Sequence, residues 1–329
     1  MSRRLAVVVS VPVAVLLVAL AVLIPDGEGD DRGAVQTRAQ TSASDATVSA
    51  SRQTAGDPDP AVPASKLRRF DADRAMRLLR WQVSYGQRPA GSAALRRLAP
   101  QLAKRLPAGR LVAVPGHPGL QNVVGTLPGR RPAIVVGAHY DSEAHPPGFV
   151  GANDGAAGTA AVIEIARAMR KTRRPAGARE LRFVLFDGEE EPPNTPDAEF
   201  YERGLRGSKA YAAAHARSTR ALILLDYVAG IGQRIPREGS SDVGLWRRLR
   251  SAARRAGVLR VFPDRSGAAI YDDHTPFLER GIPAIDLIDF TYAYRDTVQD
   301  TPDKTSVKAI DAVGETVVEL LRALDRSRY

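Results

Sequence analysis

Short continuous apolar runs alternate along the chain with segments whose apolar positions recur every three or four residues. The runs at 110–114, 121–126, 133–138, 181–186, 221–226 and 283–288 predict strands, with a shorter one near 258–262. Unbroken apolarity, as in Ala133-Ile-Val-Val-Gly-Ala138 and Ala221-Leu-Ile-Leu-Leu225, marks a strand buried on both faces. Helical spacing over 70–83 is carried by Phe70, Met76, Leu78, Leu79 and Val83, and Gly86-Gln-Arg-Pro-Ala-Gly-Ser92 breaks it. Ser92 is placed to cap a second helix reaching Leu106. Further helices are predicted at 157–170, 205–215, 244–256 and 274–280, with a long one from 307; residues 191–203 read as a polar, Pro-bearing loop. Strands alternating with helices specify one α/β domain with a mainly parallel sheet, covering 66–329.

The first 65 residues follow another pattern. Arg3 and Arg4 precede a mostly apolar stretch from Leu5 to Ile24, interrupted by Ser10 and Pro12. About 20 apolar residues span a bilayer, whereas a signal-peptide core runs about 7–15 and ends at an Ala-x-Ala-like site. No such site precedes Pro25-Asp-Gly-Glu-Gly-Asp-Asp31, so residues 1–25 are expected to be an uncleaved transmembrane anchor rather than a signal peptide. The arginines before it and the acids after it orient the protein with its domain outside the cell membrane. Cleavage would instead make the protein secreted. Residues 26–65, rich in Ser, Thr, Ala, Gly, Asp and Gln, read as a disordered linker.

Composition narrows the chemistry. Of 329 residues 44% are hydrophobic, enough for a sizeable core, and none is cysteine. Disulfides, thiolate metal sites and a cysteine nucleophile are thereby excluded, and any transition metal must be held by His, Asp and Glu. The net charge is +10, but its arginines are spread over helices, as in Arg203, Arg206, Arg247, Arg248, Arg254 and Arg255, and only 6% of residues are aromatic. Solvated helix faces or attraction to an anionic surface account for this charge, and no nucleic-acid partner is expected.

The chemistry gathers where strands end. In open α/β sheets the ligand site lies beyond the carboxyl ends of the strands. His139 and Asp141 follow the run at 133–138, Glu189 and Glu190 follow 181–186, and Asp226 closes 221–226. Asp154, within Gly151-Ala-Asn-Asp-Gly155, opens a helix. Adjacent carboxylates at a strand end are costly to bury as ions without a cation. They also suit a division of labour, one holding metal and the other moving protons. Two further polar clusters are Tyr271-Asp-Asp-His274 and Tyr294-Arg-Asp-Thr297 ahead of Asp300. His145, His117 and His215 have no partner pattern and are expected at the surface, and His274 is expected at a helix start or pocket wall rather than on a metal.

His139-Tyr-Asp-Ser, Gly151-Ala-Asn-Asp-Gly-Ala-Ala-Gly158, Phe186-Asp-Gly-Glu-Glu190, Leu224-Leu-Asp226 and Asp300-Thr-Pro-Asp-Lys304 together resemble the zinc exopeptidases of metallopeptidase family twenty-eight, which holds bacterial aminopeptidases and glutaminyl cyclases. The resemblance covers residues 70–325. It implies a three-layer α/β sandwich of the zinc-exopeptidase kind, with a mainly parallel mixed sheet flanked by helices. It also implies one or two zinc ions and peptide substrates with a free N-terminus. Carried over by position, Asp154 bridges two metals, His139 and Asp226 hold one, and Glu190 holds the other. Glu189 is then the general base, Asp141 orients the His139 imidazole, and Asp273 lines the substrate pocket. The family has a His-Thr pair after the last strand whose His completes the Glu190 side; here Asp296-Thr297 stands there, leaving Asp296 as the expected ligand.

Three activities fit. The leading expectation is an aminopeptidase, removing N-terminal residues with metal-activated water. The alternative is a glutaminyl cyclase, which the segment Asp272-Asp-His-Thr-Pro-Phe-Leu-Glu-Arg-Gly-Ile-Pro283 resembles. A binding module on a degenerate enzyme fold is the third; the altered position 296 favours it and the intact Glu189-Glu190 pair opposes it.

Overall fold

The computed structural model describes residues 59–327. The expected anchor, 1–25, and the linker up to residue 58 lie outside the described residues, and among those described no helix is long and apolar enough to cross a membrane. The linker was expected to run to 65, yet residues 59–65 pack against the body. Val62 enters the core at 1% exposure and the buried Asp59 accepts from the Gly232 amide. One apolar anchor and one buried cap were too sparse to register as periodicity.

Six strands form one mixed sheet: β1 (Arg110–Ala113), β2 (Gln121–Leu127), β3 (Arg130–His139), β4 (Arg179–Phe186), β5 (Thr219–Asp226) and β6 (Ala284–Ile288). Their order is β1-β2-β4-β3-β5-β6, with β4, β3, β5 and β6 parallel and β1 and β2 antiparallel at one edge. Alternate residues of β3 serve opposite faces: Ile134, Val136 and Ala138 enter the larger core, while Val135 enters the smaller one. The larger core is closed by α1 (Ala72–Val83), α2 (Ala93–Ala103), α3 (Gly158–Lys171), α6 (Val243–Ala256) and α8 (Val307–Arg326). On the other face lie α5 (Arg206–His215) and α7 (Thr275–Leu278), which supply Tyr211 and Phe277.

Helix starts follow local chemistry. Asp71, Ser92, Asp242 and Ser306 each accept a backbone N–H from three residues on, satisfying donors that have no partner inside the helix. Two sequence expectations change. The strand near 258–262 is a single 3₁₀ turn, Leu259–Val261. Its buried residues Val258, Val261 and Phe262 have helical rather than alternating spacing, and Phe262 packs on Trp246 of α6. The loop at 191–203 contains a short helix, α4 (Phe200–Arg203).

Candidate metal and catalytic site

Parallel pairing brings the chemistry together. His139 pairs with Phe186 across β3 and β4, and Gly137 pairs with Leu224 across β3 and β5, so the carboxyl ends of three strands share one edge. His139 ends β3, Glu189 and Glu190 follow β4 through Asp187-Gly188, and Asp226 ends β5. Asp154 arrives from a kinked turn before α3, with Gly155 at φ 75°. A Cβ on Gly155 would stand 2.5 Å from the Asp141 carbonyl oxygen and 3.2 Å from the His139 ring, so glycine permits this approach.

Nε2 of His139 lies 3.1 Å from Asp154 Oδ1 and 3.3 Å from Asp226 Oδ1. Its other nitrogen, Nδ1, is 3.8 Å from both Asp141 and Glu189 and has no hydrogen-bond partner. Two three-donor groups therefore overlap at this imidazole, His139–Asp154–Asp226 and His139–Glu189–Glu190, each with its donor atoms within 4.8 Å of one another. All five residues are at most 9% exposed. Four carboxylates around one imidazole form a poor ion-free cluster. Burial pushes Glu189 and Glu190 well above the usual carboxylate range; His139 draws Glu189 back, whereas Asp154 adds to the rise at Glu190. Asp226 rises to about 7 through burial, with His139 opposing. Burial works against charge on His139, but Asp141, Asp154 and Asp226 outweigh it and hold the imidazole well above its ordinary range. Metal-free, the cluster must take up protons, and a divalent cation replaces them. An all-nitrogen-and-oxygen donor set with an orphaned buried imidazole nitrogen fits zinc or a harder relative.

Three expected residues take particular places. Asp141 stands 3.8 Å from His139 Nδ1, and its oxygens also accept the backbone N–H groups of Glu189 at 3.4 Å and Glu190 at 3.2 Å, which fixes the turn carrying both acids. Asp273 is fully buried with neither oxygen hydrogen-bonded, and Asp272 forms the cavity wall in its place. Asp296 stands at the cavity edge, its side chain half exposed, outside both three-donor groups. Asp296 sits at φ 57° in a turn, and the Tyr227 hydroxyl links it to Asp154. The Tyr227 hydroxyl is 2.8 Å from Asp154 Oδ2 and 3.0 Å from Asp296 Oδ1.

Other residues become legible only here. Asp300 accepts the N–H groups of Asn153 and Asp154 at 3.0 Å and the Tyr292 hydroxyl at 2.9 Å, which pins the Asp154 turn. Arg88 is fully buried and donates to the carbonyls of Val150 at 2.7 Å and Gly151 at 3.1 Å. Glu143, grouped with Glu190 and Glu191, is raised to about 8 by burial and by Asp154. Position in the quoted motifs could have flagged Asp300; nothing local distinguishes Tyr227 or Arg88. His145 is exposed, as expected.

The carboxylates of the cluster line a cavity of about 580 Å³, together with the apolar side chains of Phe200, Ile270, Tyr271, Ile288 and Phe290. A carboxyl group whose pKa is raised, beside a buried donor cluster in a cavity partly lined by apolar side chains, can bind an N-terminal residue and move a proton.

The chain is 27% identical over 240 residues to the glutaminyl-peptide cyclotransferase of Bos taurus, covering 62% of this chain and 66% of that protein, just under two thirds of its length. Among solved structures it resembles an Acidobacteriales bacterium glutaminyl cyclase, with TM-score 0.67 and 26% identity over 80% of this chain and 98% of that one. It also resembles a Bacteroides thetaiotaomicron protein described as a leucine aminopeptidase precursor, with TM-score 0.68 and 25% identity over 78% of this chain and 99% of that one. The model of peptidase family M28 matches residues 122–321, well over half the chain, and the strand-end acids and histidine lie inside that match, so the chain belongs to peptidase family M28, a family of enzymes.

Proposed function

We propose that this enzyme cyclises N-terminal glutamine on peptides, releasing ammonia, with metal held at His139 by Asp154 and Asp226 of one donor group and Glu190 of the other, which overlap at that imidazole. This reverses the leading expectation from sequence. The observation that carries it is Asp296. With that carboxylate outside the donor groups, both groups depend on the single imidazole of His139, which suits one ion better than two once Glu189 is kept for proton transfer. The similarity to glutaminyl-peptide cyclotransferases and cyclase structures supports the same reading.

A divalent ion held by His139 and its neighbouring carboxylates would supply Lewis acidity toward the substrate carboxamide. The α-amine attacks the carboxamide carbon, a new C–N bond forms, and the original carboxamide C–N bond breaks. Glu189 takes the proton from the attacking amine and returns it to the departing nitrogen, which leaves as ammonia. Its depth in the cavity and its raised pKa suit both transfers. Asp141 keeps Glu189 and Glu190 in register through their amides. Phe200, Tyr271 and Phe290 line the same cavity and offer apolar surface to the rest of the substrate. A place outside the cell, anchored through residues 1–25, belongs to the same proposal and rests on sequence alone.

Aminopeptidase activity is the second reading, supported by the overlap of two donor groups at His139 and by the aminopeptidase-like structure. Incubating the zinc-loaded protein with a glutaminyl peptide and with aminoacyl anilides separates the two. Stoichiometric ammonia with the rest of the peptide intact is expected. Release of the N-terminal residue without ammonia would replace the cyclase reading by the peptidase one.

A further inference from the structure

A second set of ligating atoms lies behind the cavity wall that Asp272 forms. Asp286 pairs with Leu224, two residues before the Ile288–Asp226 pair, so it lies on the same sheet face as Asp226, about 7 Å deeper along the strands. Asp272 and His274 come from the turn that opens α7. Donor atoms of Asp272, His274 and Asp286 all lie within 4.8 Å of one another. His274 and Asp286 are 0% exposed and Asp272 is 4% exposed. Both oxygens of Asp286, Oδ2 of Asp272 and Nδ1 of His274 have no hydrogen-bond partner.

The outward side of His274 is already committed. Its Nε2 is 3.1 Å from Glu238 Oε2 and 2.9 Å from Ser240 Oγ. Glu238 accepts in turn from the amides of Ser240 and Ile270 and from the Ser241 hydroxyl. An acceptor so placed fixes Nε2 as the protonated nitrogen, which turns the Nδ1 lone pair inward. A carboxylate orienting an imidazole whose other nitrogen faces carboxylates is the arrangement that metal-bound histidines use. Nδ1 stands 3.7 Å from Asp286 Oδ2, too far for a hydrogen bond. Two donors about 2.0–2.1 Å from a tetrahedral zinc are about 3.4 Å apart, close to this spacing. Two acceptor carboxylates and an imidazole lone pair, all sealed from water, call for a positive charge among them.

We propose that Asp272, His274 and Asp286 form a second divalent-cation site of the zinc class, separate from the His139 cluster. Sealed from the cavity by Asp272, it is structural: it ties β6 to the Asp272–Asp273 turn and so holds one wall of the active site. Sequence placed His274 at a helix start and off any metal; the helix start stands, and this site makes it a ligand. The alternative cation is a single proton shared by Asp272 and Asp286.

Anomalous scattering at the zinc edge, from crystals of the zinc-loaded protein, decides between them. A peak bounded by His274 Nδ1, Asp272 and Asp286 is expected; ordered side chains with no peak would overturn the site in favour of the shared proton. Asp286→Asn should bind one zinc equivalent fewer than the parent while a peak at His139 remains, and unchanged zinc content overturns the proposal. The His139 peak is scored separately, so loss of either site leaves the other judged on its own. Should the Asn variant not fold, the parent crystal decides.

Discussion

Glu189→Gln separates proton transfer from metal binding. The substitution keeps shape and removes a titrating group that is 9% exposed, with Oε2 3.8 Å from His139 Nδ1. A positioned acid–base contributes roughly 10²–10⁴ in rate, so kcat should fall by that factor, about 3–5.5 kcal/mol at about 1.4 kcal/mol per tenfold. Zinc content should hold, because the His139–Asp154–Asp226 group is complete without it. Stability should move the other way. Burial raises the folded-state pKa of Glu189, so the folded protein binds its proton more tightly than the unfolded one does. A raised carboxylate pKa means that stability falls as pH climbs from the unfolded value, about 4.3, through the folded one. Glutamine has no such loss, so the stripped variant should unfold at a higher temperature than the stripped parent at pH 8 and gain less at pH 5. Ammonia release, elemental analysis and thermal unfolding of chelator-treated protein read the three effects. Activity within twofold of the parent, or the loss of a zinc equivalent, would refute the assignment of Glu189 as a proton carrier.

The same sign governs the whole metal-free cluster: Asp226 and Asp187 at about 7 and Glu143 at about 8 should make the stripped protein less stable at pH 8 than at pH 5, as followed by thermal unfolding. Zinc at 100 times its Kd should restore about 2.7 kcal/mol, and an apo protein more stable at pH 8 would contradict the cluster's electrostatics. Asp300→Ala removes the acceptor for two amides and a tyrosine hydroxyl, freeing the Asp154 turn. Zinc affinity at the His139 cluster, titrated calorimetrically, should drop about 10–100-fold; an unchanged Kd would show the turn to be held by other contacts. Asp296→His should leave zinc at that cluster unchanged or raised, because Asp296 stands outside the three-donor groups and accepts from Tyr227. A clear loss on elemental analysis would make Asp296 a ligand after all.

The sequence by itself determined the layered α/β plan and the meeting of His139, Asp154, Glu190 and Asp226. Both follow from local rules: unbroken apolar runs fix buried parallel strands, and residues that end parallel neighbours must share an edge. What it left undecided depends on how side groups turn once the protein is folded. Sequence places Asp141 beside the ring of His139, and the structure adds its contacts to the amides of Glu189 and Glu190, set by packing across β3 and β4. Asp272 and Asp273 are neighbours, and only the turn before α7 decides which of them meets the cavity. Asp296 follows the family position, but it sits in a left-handed turn outside the three-donor groups, linked to Asp154 by the Tyr227 hydroxyl. The buried set at Asp272, His274 and Asp286 joins a turn to a strand whose register no local pattern encodes. Periodicity names the strand and the edge; only the tertiary structure decides which polar atoms are deprived of water and of partners, because that depends on every element packed around them.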